Sequence, residues 1–208
     1  MSDLLNLERE YLSKKINYIA GMDEAGRGPL AGPVMIGCCI MDLSDIIPGV
    51  NDSKKLTAKE REYLYNLIKE KSICAQTVSI DHEEIDKINI LNATKKGMHL
   101  ALKAMFPIPE VLLVDAVKSD FEIPYQAVIG GDAISYSIAA ASILAKVERD
   151  RLMVKYSEMY PEYGFERHKG YATKLHIEML KKYGPCPIHR KTFLKNFFQI
   201  YKKWINTE

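Results

Sequence analysis

Apolar residues arrive first in short runs and later at helical spacing. The run Ile16–Met22, bounded by glycine, predicts a buried strand, and Val34–Met41, entered through Gly32-Pro33, predicts a second. From Thr57 to Lys71 the pattern changes. Leu64, Leu67 and Ile68 fall on one side among charged residues, and Thr57 with Glu60 has the spacing of a capping box, so a helix is expected. Ile73–Ile80 reads as a third strand. Ile85, Ile88 and Leu91 lead into helical spacing over Ala93–Met105, which Phe106-Pro107-Ile108-Pro109 ends. Val111–Asp115 is apolar until its acid, as in a strand covered on both faces, and Ala127–Ile129 predicts a short fifth strand.

The longest helical signal runs from Asp132 to Met159. Its first half is apolar all round, through Ala133, Ile134, Ile138–Ala141, Ile143 and Leu144, which predicts a helix packed closely on the sheet. Its second half is charged and should emerge to solvent, with Tyr160-Pro161 as the stop. A loop containing His168–Tyr171 follows, then a helix near Thr173–Tyr183 stopped by Gly184-Pro185, then a basic and aromatic stretch over His189–Trp204. Strands first, then strands alternating with helices, predict a mixed α/β sheet with a helical C-terminal portion.

Composition sharpens this in one respect. The 208 residues, 47% hydrophobic, suffice for one domain with a proper core. The net charge of +2 conceals an asymmetry. Residues 1–145 carry 15 basic and 20 acidic side chains, and residues 146–208 carry 14 and 7. An acidic part able to hold cations is followed by a basic part able to hold polyanions, although a solvated lysine-rich helix would look the same. The four cysteines, at 38, 39, 74 and 186, show no Cys-x-x-Cys spacing. Cys38 and Cys39 should point to opposite faces of a strand, so reduced thiols are expected. Met1–Lys15 is charged and lacks an apolar signal core, and no run of eighteen apolar residues occurs. A cytoplasmic protein without membrane contact is expected.

The chemistry lies at the polar ends of apolar elements. Gly21–Pro33 reads Gly-Met-Asp-Glu-Ala-Gly-Arg-Gly-Pro-Leu-Ala-Gly-Pro, placing Asp23 and Glu24 inside or at the end of strand one. Buried carboxylates need a positive partner, and no Lys or Arg lies within three residues upstream of Asp23. Asp115 closes strand four and Asp132 opens the buried helix. If strands one and four are neighbours, the four acids converge and repel one another unless cations intervene. Hard oxygen ligands suit magnesium or manganese. Each acid also has a plainer reading: Asp132 as a helix cap, Asp115 as a strand-end turn residue, either one as a salt-bridge partner of Arg27 or Lys118. Gly26 and Gly28 let the backbone approach a ligand, and Arg27 offers a fork for phosphate.

This segment closely resembles the first motif of the type 2 ribonuclease H family, ribonuclease HII. The resemblance extends from about residue 16 to 195. It includes Asn51-Asp52-Ser53-Lys54-Lys55-Leu56, Val111–Ala116 with Asp115, Gly131-Asp132, the stretch Ala139–Val147, Arg149-Asp150-Arg151, His168-Lys169-Gly170-Tyr171 and His189-Arg190-Lys191. It implies a ribonuclease H-like fold in one domain over 16–208, with a catalytic core to about 158 and a basic helical portion over 159–208. It also implies that Asp23, Glu24, Asp115 and Asp132 are the catalytic, metal-binding acids for two Mn2+ or Mg2+ ions. By the same resemblance Asp23 bridges both ions, Glu24 and Asp115 share one, and Asp132 holds the other.

The implied activity is cleavage of RNA in RNA–DNA hybrids, and incision 5′ of single ribonucleotides in duplex DNA to leave 3′-OH and 5′-phosphate ends. Gly26, Arg27 and Gly28 match the motif that grips the ribonucleotide, and Tyr171 matches the tyrosine that packs on the next sugar. On sequence alone, with 12 tyrosines scattered along the chain, the plainer reading of Tyr171 as an aromatic anchor packed in a loop is the stronger one. Lys54 and Lys55 are expected phosphate contacts, followed by His168, Lys169, Arg190 and Lys191. A monomer is expected. A type 3 relative would carry an extra N-terminal domain for which about fifteen residues leave no room. A phosphatase with Asp23 as nucleophile gives Tyr171 no role, and a non-cleaving hybrid binder would not keep all four acids.

Overall fold

In the computed structural model, which describes residues 4–195, five strands form one sheet whose order from edge to edge is Ser72–Ile80, Val34–Met41, Ile19–Ala25, Val111–Asp115 and Tyr125–Val128. A helix with no counterpart in the apolar pattern comes first, α1 (Asn6–Ser13). Its buried Glu8 accepts bonds from Ser135 Oγ at 2.6 Å and Ser137 N at 2.9 Å, and Leu7 and Tyr11 pack on the core beside Ile19 and Ile138, so a polar contact and a short apolar pair dock it together. β1 (Ile19–Ala25) and β2 (Val34–Met41) then pair antiparallel. β1 runs three residues past the end of its apolar run, because Asp23 and Glu24 pair with Gly37 and Ile36 through a backbone ladder indifferent to side-chain polarity.

α2 (Ala58–Lys71) has the full capping box of Thr57 and Glu60, and leads directly into β3 (Ser72–Ile80), antiparallel to β2. The next helical stretch is two helices, α3 (His82–Ile88) and α4 (Ile90–Lys103). Asn89, at φ 67°, breaks them, and its side chain caps α4. β4 (Val111–Asp115) and β5 (Tyr125–Val128) join in parallel, so β4 lies beside β1 as the convergence argument requires.

α5 (Tyr136–Met159) starts four residues later than its apolar pattern suggests. Asp132 lies in a single 3-10 turn over Gly131–Ala133, and Ser135 caps α5 by accepting from Ile138 N at 3.2 Å. Asp132 is therefore not the helix cap, which leaves its carboxylate for other partners. α6 (Phe165–His168) is a single turn inside the expected loop, and α7 (Lys174–Tyr183) is capped by Thr173 and closed by Gly184. Residues 191–195 are helical. The remainder of the basic aromatic stretch, 196–208, lies outside the described residues.

Two layers of helix cover the sheet. Ile36, Cys38 and Ile40 face Met98 and Ala101 of α4, while Cys39 and Met41 face α2 and the Ala139–Leu144 segment of α5. The adjacent cysteines thus point to opposite faces, and all four are free thiols. Met22 is buried in the α4-side core. A third cluster joins Leu30 and Ala31, from the β1–β2 connection, to Met153, Phe165, Leu180 and Ile188. Among the described residues no helix is long and apolar enough to cross a membrane.

α5 rests on bare backbone. A Cβ at Gly21 would lie 2.0 Å from the Ser137 carbonyl carbon, and one at Gly37 would lie 2.2 Å from the Ala141 oxygen. Gly21→Ala should therefore lower unfolding stability by about 3 kcal/mol, the upper end for overpacking against atoms that cannot move aside. Gly130→Ala provides the contrast. Its φ of 65° is strained for alanine but no atom lies within 4 Å, so about 1–2 kcal/mol is expected. Urea unfolding of both variants checks this, and equal losses would mean that α5 is not seated on the β1 backbone.

Candidate active site

The parallel β1–β4 pairing sets Met22 opposite Val114, which brings Asp23 and Asp115 to adjacent positions on the sheet. The 3-10 turn after β5 then folds Asp132 toward them, with Gly131 N donating to Asp115 Oδ1 at 2.8 Å. Asp23 and Asp132 are each 5% exposed. One cleft is lined by Asp23, Glu24, the Ala25–Gly28 loop, Ser53, Lys54, Asp115, Ser142, Lys146 and Tyr171. Lys55, Lys169 and Lys191 lie outside that lining.

The acids hold their charge with difficulty. Burial, then repulsion from Glu24 and Asp115, pushes the Asp23 carboxyl well above the usual range. Burial also raises Glu24, against the pull of Arg27, whose Nη1 lies 3.2 Å from Oε1. Asp115 is raised by burial, partly offset by the Gly131 N–H. Lys54 meets this negative charge: its Nζ lies 2.7 Å from Asp132 Oδ2, and that bond raises the ammonium pKa. Lys54 thus does more than await phosphate, since it already belongs to the carboxylate cluster.

Among the described residues no three His, Cys, Asp or Glu side chains are drawn to ligand distance of one point. The donor chemistry nonetheless fits hard divalent cations. The cleft gathers carboxylate oxygens, one of them charged only at a high electrostatic cost, and Glu24 Oε2 is buried with no hydrogen-bond partner. A small shift of Lys54 and Arg27 toward solvent would open those oxygens to a cation.

Four lining residues, Ala25, Ser53, Ser142 and Lys146, are not among the site residues that the sequence points to. Ser142 and Lys146 stand one turn apart on α5, facing the sheet, and Lys146 bonds Asp150 Oδ1 at 2.7 Å while burial lowers its pKa. The signal was available in the polar exceptions, spaced by four, within an apolar helix. Gly28 lies across from Tyr171, whose Cε1 would be 3.8 Å from a Cβ there, and the Tyr171 ring is 44% exposed.

Two expected phosphate contacts require correction. Arg190 is fully buried, and its three donor nitrogens bond the carbonyls of Gly32, Arg27 and Gly26. His168 is buried too, with Nε2 against Tyr163 O at 2.8 Å and Nδ1 against Gly170 N at 3.2 Å. Both face inward because they support loops rather than ligand. Lys169 bonds the Glu166 carbonyl through its Nζ, and Lys191 keeps an exposed side chain while its N–H donates to Asp86.

The comparisons agree with the resemblance. A family model described as Ribonuclease HII matches residues 20–199. The ribonuclease HII of Caldicellulosiruptor saccharolyticus is 52% identical over 194 residues, covering 93% of this chain and 95% of its own length. That of Ruminiclostridium cellulolyticum is 50% identical over 200 residues, 96% of this chain and 78% of its own. Among solved structures, the ribonuclease H2 of Pyrococcus horikoshii superposes with a TM-score of 0.74 at 30% identity, covering 89% of this chain and 99% of that one.

The loop that carries Tyr171 hangs from two buried histidines. His176 Nδ1 bonds the Tyr171 carbonyl at 2.9 Å, and His176 Nε2 meets His189 Nε2 at 3.0 Å. His189 Nδ1 accepts from Cys186 N at 2.9 Å. One neutral tautomer of each ring satisfies the chain: His189 donates from Nε2, and His176 accepts there and donates from Nδ1. Burial pushes both histidines down to about 4. Their ordinary value is about 6.5, so the unfolded chain takes up protons first as the pH falls. Stability from this pair is complete above about pH 6.5 and is lost progressively toward pH 4. Asp23, Glu24 and Asp115, with raised values, act in the opposite direction, so the histidine share must be isolated by difference. His189→Gln keeps a neutral amide near Nε2 and cannot titrate. Its urea midpoint should fall less steeply than that of the wild type between pH 7 and 4.5, and equal slopes would assign the acid sensitivity elsewhere.

Proposed function

The chain belongs to the ribonuclease HII family, hydrolases that cleave RNA paired with DNA, and we propose that it also incises duplex DNA 5′ of a single embedded ribonucleotide. The products are a 3′-OH and a 5′-phosphate, and the act would begin removal of ribonucleotides from DNA. The observation that carries the reading is the cleft itself. It places the carboxylates Asp23, Glu24 and Asp115 within one lining with the Gly26-Arg27-Gly28 backbone and the exposed face of Tyr171.

Ribonucleases H use divalent metals, and in this chain Asp23, Glu24, Asp115 and Asp132 would hold two, Mg2+ or Mn2+. When bound, the pair lowers the pKa of the attacking water and offsets charge on the leaving 3′ oxygen. The rest of the work falls to the protein. The 2′-OH is what distinguishes RNA from DNA, and backbone groups of the 26–28 loop, which lines the cleft beside the acids, would bond it. Tyr171, opposite Gly28, packs on the following deoxyribose, so a single ribonucleotide is read as a junction. Lys54 and Lys146 bring positive charge to the scissile phosphate from two sides of the cleft. Lys55 and Lys191, exposed and farther out, suit the phosphates of the flanking duplex. We infer one working unit over 16–208, in which the portion after about residue 158 braces the substrate loops of the core.

Asp23→Asn tests the acid assignment. It keeps the side-chain shape and removes the charge that would hold the cations, so single-turnover cleavage of a hybrid should be abolished while duplex binding persists. Without metal the variant should melt higher than the wild type near pH 7, because a carboxyl whose charged form is disfavoured by burial and by its acidic neighbours has been removed from a buried site. Cleavage within about tenfold of wild type, a loss of only ~1.4 kcal/mol, would be too small for this residue's role.

Tyr171→Ala tests the junction reading. Stacking on the deoxyribose is worth about 1–3 kcal/mol, so incision at a single ribonucleotide should fall roughly tenfold to hundredfold. A long hybrid, which offers many alternative bonds, should suffer less, and Tyr171→Phe should be milder on both. Parallel losses on the two substrates with a lowered melting temperature would make Tyr171 a structural anchor.

A further inference from the structure

Arg149 of α5 and Arg190 are 1% and 0% exposed, yet their partners are carbonyl oxygens rather than a carboxylate. Arg149 gives Nε to Pro33 O at 3.0 Å, Nη1 to Lys169 O at 3.0 Å and Nη2 to Ala31 O at 3.2 Å. Arg190 gives Nε to Gly32 O at 2.9 Å, Nη1 to Arg27 O at 3.0 Å and Nη2 to Gly26 O at 2.6 Å. Burying a guanidinium in this way is costly, and burial pushes Arg190 down to about 9. Five bonds to the main chain of residues 26–33, and a sixth to Lys169 of the neighbouring loop, make a brace. Gly26 makes room for it, because a Cβ there would lie 2.0 Å from Arg149 Nε.

The brace has a direction. In a planar trans peptide the C=O and the following N–H point opposite ways. Arg190 draws the carbonyls of Gly26 and Arg27 inward, so the N–H groups of Arg27 and Gly28 must point outward, on the side of the cleft that both residues line. Among the described residues neither of these two N–H groups has a partner within the chain. A planar fork that grips two consecutive carbonyls fixes both peptide planes at once, which a lysine ammonium cannot do.

We propose that Arg190, seated against Arg149, is a positioning residue for ribonucleotide recognition: it sets the two peptide planes whose N–H groups meet the ribonucleotide. The proposal rests on the reading of the 26–28 loop as the ribonucleotide grip, and it assigns Arg190 no contact with substrate.

The test uses the full chain carrying Arg190→Lys or Arg190→Ala, at a temperature where melting curves show each variant fully folded. Arg190→Lys should bind duplex DNA with affinity near wild type, while single-turnover incision at one ribonucleotide falls about tenfold to hundredfold, the loss expected of misplaced binding groups. Guanidinium ion should restore part of the activity of Arg190→Ala, and methylammonium at the same concentration should not. Amide resonances of Arg27 and Gly28 in the substrate-free chain should shift in Arg190→Lys. Wild-type incision by folded Arg190→Lys, or equal rescue by both cations, would overturn the proposal. Titration without divalent cation separates it from its premise. If the wild-type amides of Arg27 and Gly28 respond alike to duplexes with and without a ribonucleotide, the grip reading fails and the brace has nothing to position. If they respond to the ribonucleotide equally in wild type and Arg190→Lys, the grip stands and the brace alone is overturned.

Discussion

The close seating of α5 on the backbone of β1 and β2 governs the rest of the molecule. Helix and sheet meet without intervening side chains at Gly21 and Gly37, where any Cβ would collide with the helix main chain. That contact determines which residues of α5 reach the cleft and which reach the loop behind it. Ser142 and Lys146 come level with the acids, and one turn further on Arg149 comes level with the carbonyls of Ala31 and Pro33. A helix held farther away by larger side chains would leave the acids uncovered and the β1–β2 connection without its brace. Close packing of this kind transmits small errors, because interiors have little room to absorb them.

Around this frame the protein accumulates negative charge and keeps it poorly compensated. Asp23 is buried beside Glu24 and Asp115, and each of the three carboxyls is pushed upward by burial before any neighbour is counted. Lys54 and Arg27 supply local relief at Asp132 and Glu24, each through a side chain with considerable solvent exposure. Exposed side-chain cations of this sort can yield to stronger ones, whereas a buried Lys or Arg fixed among the acids would compete with divalent metal. The cluster is thus electrostatically unsettled in a way that suits ligand binding better than stability.

The C-terminal portion uses the opposite strategy, burying polar groups with their hydrogen bonds complete. The His176–His189 pair, His168 and the two arginines all terminate on main-chain atoms of the 26–33 and 163–173 segments, or, for His189, of Cys186. Leu30 N bonds Gly170 O at 2.8 Å, which ties those two segments directly together. The surfaces that would touch nucleic acid are therefore loops, but loops with a rigid backing. This explains why several basic and imidazole side chains near the cleft serve architecture rather than contact.

Periodicity and motif order in the chain were enough to indicate the strands and main helices, the parallel neighbourhood expected of Asp23 and Asp115, and the family to which the four acids belong. Those features depend on local patterns: apolar runs, a capping box at Thr57, glycines beside acids. The residues that defeated a reading of the sequence did so because their role depends on direction. His168 and Arg190 look like phosphate ligands in a basic string, yet they point inward, and whether a side chain faces solvent or core in an irregular loop follows no period. The apolar pattern sets Asp132 at a helix start, but the turn ahead of Ser135 moves the cap and frees the carboxylate. α1 is hard to read because its apolar contacts are few, Leu7 and Tyr11, and a buried carboxylate, Glu8, supplies the rest of its anchorage. Ser142 and Lys146 became cleft residues only when α5 was laid on Gly21 and Gly37. The sequence by itself determined which residues could carry the chemistry, and the tertiary structure decided which of them face the substrate and which hold the others in place.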